Sequence, residues 1–394
     1  MLLRGDGNVK KYIISFVGNT LSTRLGESLS SSYLLEMSEE ELNQKSPEIN
    51  SLNQIIRHEA TGDVTFDIYL LSTETEEVYK CAEVLREFYL DKRRVSKMIP
   101  YSLVENVEVK IIKGLDAKKQ GSFSEGVRNL LVDFSEIVNG FSFERNYSNY
   151  IVNSTPGYKS INFFVSLLAQ MLRMPTYYIY EPSTRYDKPE LISMPLLPVK
   201  FDFSIFDDNL ELFLALDDPN TTVDISKLKS VESSHSFDAF FEKTGNNWKM
   251  TFFVLVLWEI YKSRYEGFVF LHKKGIELGL KQKREQFDRV LREFLTRLHK
   301  NKEDPDLNHN VGLPSPWHVF KTEVDNIEVR LLYTFEEYYD HFGMQSFRIY
   351  ARQVLFSREA HNAGSEYVDI FKRTISTDTA FDKDMYELYK VEKE

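Results

Sequence analysis

Hydrophobic and polar positions follow two regimes along the chain. In the first half, short apolar runs alternate with stretches of helical period. "KKYIISFVG" (10–18) reads as a strand that ends in the polar turn "NTLSTRLG". "FDIYLLS" (66–72) is a second strand, and a helix follows it, with Thr73 or Thr75 as N-cap and acids in its first turn. "VEVKIIK" (107–113) and "SEGVRNLLVDFSEIV" (124–138) give the next strand and helix. "SNYIVN" (148–153), an amphipathic helix and "TYYIYE" (176–181) complete the series, with "ELISMPLLPVKFD" (190–202) as an edge strand or hairpin broken by prolines. Strands alternating with helices predict βαβ units and a mostly parallel sheet. Beyond about residue 200 the alternation stops. Residues 207–224 are acidic and aromatic, 225–247 read as a connector, and 250–300 as helical. Three strand-like runs then follow, "WHVFKTEV", "IEVRLLYTF" and "FRIYARQVLF", which predict helices followed by an antiparallel sheet.

Composition narrows the function classes. The chain has 394 residues and a formal charge of -11, so a broad electrostatic nucleic-acid binder is excluded and any RNA contact must be local. No helix-turn-helix pattern is visible, and the one strongly basic helix is 281–300, which argues against DNA. The aromatic content, 29 Phe and 22 Tyr, predicts large cores. The single cysteine, Cys81, excludes an intrachain disulfide and a multi-cysteine metal site. The N-terminus lacks an apolar signal core, and "TFFVLVLW" (251–258) is too short to cross a bilayer. The expectation is a soluble, cytoplasmic protein with no membrane partner.

In a parallel sheet, ligands bind beyond the carboxyl ends of the strands. Three such ends are polar here: Gly18, Asn19, Thr20 and Leu21 after the first strand; Ser72, Thr73 and Glu74 after the second; Asn153, Ser154, Thr155, Gly157 and Lys159 after the fourth. In the last, Thr155 is the expected N-cap and Pro156 the N1 residue of the following helix. Gly157 admits close approach to the backbone, and Lys159 adds charge to a positive helix end. These features suit an anion site and a simply capped helix equally. The spacing is neither a P-loop nor a dinucleotide fingerprint.

The Gly-Asn-Thr-Leu turn after the opening strand, "NSTPGYKS" and the downstream "LLAQMLRMPTYYIYE" resemble the CARF domain, the sensor of cyclic oligoadenylates in type III CRISPR systems. Pro156 stands where that family has the first glycine of a pair. The resemblance spans about residues 10–200. It implies a Rossmann-like α/β domain over 1–200, a homodimer, and a cyclic oligoadenylate activator held by Gly18, Asn19, Thr20, Leu21, Ser72, Thr73, Asn153, Thr155, Gly157 and Lys159, with the tetra-adenylate ring as first choice. A sensor of this kind usually controls an effector on the same chain, here beyond a connector at 201–250.

Three kinds of effector compete for residues 251–394. An all-helical HEPN ribonuclease needs an Arg-x(4–6)-His pair; Arg292 and His299 have a similar spacing, but the strands that follow argue against it. A metal-dependent nuclease needs clustered carboxylates; "EVDNIEVR" (323–330) has them without the usual lysine. Residues 281–375 instead resemble RelE-type ribosome-dependent messenger-RNA endonucleases, with an α+β fold. That resemblance carries Lys321, Arg330 with Tyr333, Arg358, and Tyr367 with Lys372 and Arg373. Glu323 sits where that family often has a second lysine. RNA cleavage by its own 2′-hydroxyl needs proton removal, charge stabilisation and protonation of the leaving oxygen. Arg330 and Arg358 are the expected transition-state cations, Lys321 positions RNA, and Tyr367 moves a proton or stacks, with His361 as an alternative acid or base. No metal or other cofactor is expected, and the RNA partner is a message on the ribosome. The competing class is a ligand-gated ribosome-binding regulator that does not cut.

Overall fold

The computed structural model describes residues 9–61, 63–91, 103–115, 123–142, 144–157, 159–180, 189–198, 200–223, 239–244, 247–309, 312–357, 366–377 and 382–394. The chain is a mixed α/β protein that divides into two compact units. One holds residues 1–141 and 145–201; the other holds 142–144 and 202–394. Among the described residues, no helix is long and apolar enough to cross a membrane.

The first unit is built on a six-stranded sheet: β1 (Val9–Phe16), β2 (Val64–Thr73), β3 (Val104–Ile112), β4 (Tyr150–Asn153), β5 (Thr176–Tyr180) and β6 (Glu190–Met194). Their order is β3-β2-β1-β4-β5-β6. All neighbours are parallel except β6, which runs antiparallel to β5 at the edge. Nine of the ten positions of β2 are buried, as a central strand covered on both faces requires. Its helices are α1 (Thr20–Leu25), α2 (Ser31–Glu36), α3 (Glu39–Lys45), α4 (Pro47–Glu59), α5 (Glu76–Leu90), α6 (Phe123–Ile137) and α7 (Lys159–Met171). Strand order reverses between β1 and β4, so the chain segments leaving those strands lie side by side at the carboxyl edge. The hydrophobic pattern does not predict the four helices between Thr20 and Glu59. Their sequence is punctuated by serine caps rather than by one long apolar period: Ser38 and Glu41 form a capping box, and Ser46 caps α4 with Pro47 at its first position.

The second unit opens with α8 (Ser204–Asp208), α9 (Leu210–Leu216) and the hairpin β7 (Phe241–Thr244) and β8 (Asn247–Met250). Then come α10 (Phe252–Lys262), β9 (Tyr265–His272), α11 (Lys273–Lys300), β10 (His318–Val324), β11 (Ile327–Tyr339), β12 (Gln345–Ser357), α12 (Glu366–Thr377) and β13 (Tyr386–Glu392). The main sheet has the order β10-β11-β12-β9-β13. β10, β11 and β12 are antiparallel, β9 is parallel to β12, and β13 is antiparallel to β9. The continuous helical reading of 250–300 is therefore corrected: β9 interrupts it and enters the sheet. The antiparallel meander at 318–357 matches the three strand-like runs. Its first turn is a two-residue hairpin in which Asp325 and Asn326 take φ of 53° and 59°.

One face of this sheet packs on α11, whose Phe287, Val290, Leu291, Phe294, Leu295 and Leu298 form a buried stripe at helical spacing. On the opposite face Val319 and Leu332 meet Phe371 of α12 in a smaller cluster. The aromatic-acidic stretch near 207–217 is structural. Phe206 and Phe213 are buried against Trp258. Asp217 accepts hydrogen bonds from Trp258 Nε1 (2.8 Å), Lys262 Nζ (2.9 Å) and the Tyr338 hydroxyl (2.8 Å).

Candidate functional sites

The carboxyl edge at the strand reversal brings the first and fourth polar turns together. A Cβ on Gly18 would stand 3.7 Å from Gly157 N and 3.8 Å from Gly157 Cα, so the two turns are in backbone contact. Gly157 has φ of 93°, and a Cβ there would fall 2.6 Å from Cβ of Phe16. Glycine is thus required twice over, by conformation and by space.

The polar side chains of these turns mostly build the turns themselves. Asn153 is 1% exposed; its Nδ2 donates to Ser15 Oγ (3.0 Å) and Ser51 Oγ (2.7 Å), and its Oδ1 accepts from Thr155 N (3.2 Å). One asparagine therefore ties β1, α4 and the turn together. Thr155 does not cap the following helix. Its Oγ1 accepts from Ile179 N (2.9 Å) on β5, and α7 begins only at Lys159. Asn162, in the first turns of α7, does the holding instead, donating to the carbonyls of Ser154 (3.1 Å) and Pro156 (2.7 Å). Ser72 and Thr73 are buried; Ser72 Oγ donates to the Thr73 carbonyl (2.9 Å), and Thr73 Oγ1 to Thr75 Oγ1 (3.2 Å). Leu21 is wholly buried core, Thr20 opens α1, and Asn19 and Lys159 are exposed.

A residue that the sequence does not single out lies beneath this edge. Glu48 is 1% exposed, and its Oε1 accepts from Gly18 N (2.9 Å) while Oε2 accepts from Ser46 Oγ (2.9 Å). Burial pushes its carboxyl up, against the opposing pull of these hydrogen bonds and of Arg24. The only sequence signal of Glu48 is position: the second residue of a serine-capped helix.

The second unit gathers the other expected residues. Lys321 on β10 and Arg330 on β11 are direct cross-strand partners, and therefore share a face. It is the face covered by α12, because Val319 and Leu332, two positions away along each strand, belong to the cluster around Phe371. Tyr367 of α12 lies over Arg330, with the guanidinium 5.1 Å from its ring centroid. The Arg330 side chain is 9% exposed and ion-paired with Glu328. Among the described residues its Nε and Nη1 are buried with no hydrogen-bond partner, and Tyr367 is the group whose side chain acts most strongly on the guanidinium. Buried guanidinium donors are normally satisfied, so two open donors on one buried cation make a site suited to an oxyanion. Tyr333 faces the other way, 1% exposed in the α11 core, with its hydroxyl donating to the Leu307 carbonyl (2.8 Å). Arg358 and His361 lie outside the described residues, while Lys372 and Arg373 are exposed on α12.

The competing motifs fare differently. Arg292 is ion-paired with Glu394 (3.0 Å) on a helix packed against a five-stranded sheet rather than in an all-helical domain. In the 323–330 stretch, Asp325 bonds Gln286 (2.9 Å) and Arg289, and Glu328 pairs with Arg330.

Further along the Arg330 face, Phe270, Tyr350 and Tyr386 line a cavity of 630 Å³ together with Lys273, Arg348 and Lys383. Glu211, Asp384 and Glu387 also line it, so its charges balance and it is not a simple anion sink.

Residues 43–197 match the model of a family described as CRISPR-associated protein (Cas_APE2256). The matched segment covers most of the first unit and includes Glu48, Asn153, Thr155, Gly157 and Lys159. No curated protein matches the chain.

Proposed function

We propose that the chain is a CRISPR-associated protein acting in CRISPR defence, as the family match supports, and, beyond that, a cyclic-oligoadenylate-activated, metal-independent endoribonuclease that cuts messenger RNA on the ribosome. In this reading the first unit is a Rossmann-like CARF sensor and the second a RelE-like effector. The strand order β3-β2-β1-β4-β5-β6, with two glycine turns in contact where it reverses, supports the sensor. The activator is a cyclic oligoadenylate, with the tetra-adenylate ring preferred; backbone groups of the Gly18–Asn19 and Ser154–Gly157 turns and the Lys159 ammonium meet it. The sensor works as a homodimer, since a symmetric ring suits a two-fold interface. The outer face of the β5–β6 edge, where Tyr178, Tyr180 and Ile192 are exposed, supports a second copy there.

The observation that carries the effector reading is the buried Arg330 with two open donors, set beside Lys321 and under Tyr367. The scissile phosphate takes those donors. Its non-bridging oxygens gain charge as the 2′-oxygen attacks, and a well-placed fixed donor stabilises that charge by about 3–4 kcal/mol. Lys321 holds the phosphate from the neighbouring strand. Removing Arg330 should cut the rate by about 10²–10³-fold without weakening ring binding, measured as cleavage of a defined message on purified ribosomes. An Arg330→Ala enzyme that cuts at the wild-type rate would refute the assignment.

A further inference from the structure

Resting on that reading, the cleavage reaction lacks one component: a group that accepts the 2′-hydroxyl proton. Arg330 and Lys321 are cations and hold no proton-accepting lone pair at neutral pH. Tyr367, whose ring lies over the Arg330 guanidinium, carries a phenolic O–H that can donate to the leaving oxygen.

The loop before β10 supplies a candidate that no sequence motif marks. Residues 306–309 run antiparallel along the free edge of β10. Lys321 N donates to the Asp306 carbonyl (2.8 Å), and His309 N donates to the Val319 carbonyl (3.0 Å). The Tyr333 hydroxyl pins the same loop from the opposite face through the Leu307 carbonyl (2.8 Å). His309 is thereby fixed beside Val319, two strand positions or about 7 Å from Lys321. Val319, Lys321 and Arg330 all lie on the α12 face.

We propose that His309 is the general base of the effector site. Its neutral imidazole takes the proton from the 2′-hydroxyl. The O2′–P bond forms, the P–O5′ bond breaks, and the 5′-oxygen takes the Tyr367 proton. The products are a 2′,3′-cyclic phosphate and a 5′-hydroxyl, and solvent exchange returns a proton to Tyr367 and removes one from His309.

The electrostatics agree with this role. Burial, Arg330 and Lys321 all push the His309 imidazole down, and Asp306 alone among the groups bearing on it pushes up. A histidine below its usual value is neutral and ready to accept a proton at pH 7.

The test is single-turnover cleavage of a defined message on purified ribosomes by the full-length, ring-activated protein, from about pH 5.5 to about 8. Wild type should gain rate with rising pH through a value below the usual histidine range, then level off. His309→Ala and His309→Gln should both lose that acid limb and about 10²–10⁴-fold in rate, and added imidazole should restore part of the His309→Ala activity. Ring binding by both variants reports folding of the chain. If both keep the wild-type rate and limb while Arg330→Ala is inactive, the base assignment is wrong and the effector reading stands. Loss of the limb in His361→Ala with His309→Ala unaffected would likewise overturn it. No cleavage by wild type would remove both.

Discussion

At the residue scale, the carboxyl edge of the first sheet depends on Gly157 and Glu48. Gly157→Ala should lose about 1–3 kcal/mol from the positive φ alone, with more from the clash at Phe16, read as a lower urea midpoint. Glu48 makes a pH-dependent contribution of definite sign. Burial raises its pKa in the folded state, so the fold retains this proton where the unfolded chain has released it. Its contribution is full below the unfolded glutamate value of about 4.3 and declines as pH rises through the folded value. Glu48→Gln keeps the shape and cannot ionise, so it should gain stability relative to wild type between about pH 5 and about pH 8. Parallel urea titrations at the two pH values measure this; an unchanged difference would mean that Glu48 is ionised in the fold. Gly157 was legible in the sequence, because a strand-to-helix turn is where the chain most often needs a positive φ or a close backbone approach. Glu48 was not, since a glutamate early in a capped helix is common on protein surfaces. Asn153 and Thr155 were found as polar turn residues, but their hydrogen bonds depend on Ser15, Ser51 and Ile179, which are distant in sequence.

At the scale of elements, the second unit depends on the Asp217 cluster joining α9, α10 and β11. Lys262, half-buried, pairs with buried Asp217 (2.9 Å) and with Glu259 (2.7 Å), and Asp217 is completed by Trp258 and Tyr338. Asp217→Ala leaves Lys262 with Glu259 alone and leaves the Trp258 and Tyr338 donors open, and should cost about 3–5 kcal/mol, measured by chemical denaturation of the whole chain. A loss below about 1 kcal/mol would place the pair among exposed bridges. This cluster also accounts for the acids set beside aromatics at 207–217, whose partners lie tens of residues away in the chain. The same limit hid β9. "YEGFVFLH" is a short apolar run between two helical stretches, and only its pairing with β12 and β13 makes it a strand. The meander β10–β12 was legible because alternation and a two-residue turn are local signals. The Lys321–Arg330 pairing follows from that turn, whereas His309 reaches the site through a loop whose sequence has no period.

At the scale of the molecule, the proposed function puts sensing and cutting in different units, so the two should separate by mutation. Lys159→Ala should weaken ring binding and leave the protein unresponsive, while Arg330→Ala should bind the ring normally and fail to cut. Coupling between the two requires that the ring favour one state of the protein over another. The most direct measurement is cleavage of a message in a translating extract, with and without each cyclic oligoadenylate, beside the same RNA free in buffer containing EDTA. The expected result is ring-dependent cutting of translated message by wild type and none by Arg330→Ala. Cutting that ignores the ring, persists in Arg330→Ala, or is absent while the ring still binds would contradict the proposed sensor-controlled nuclease.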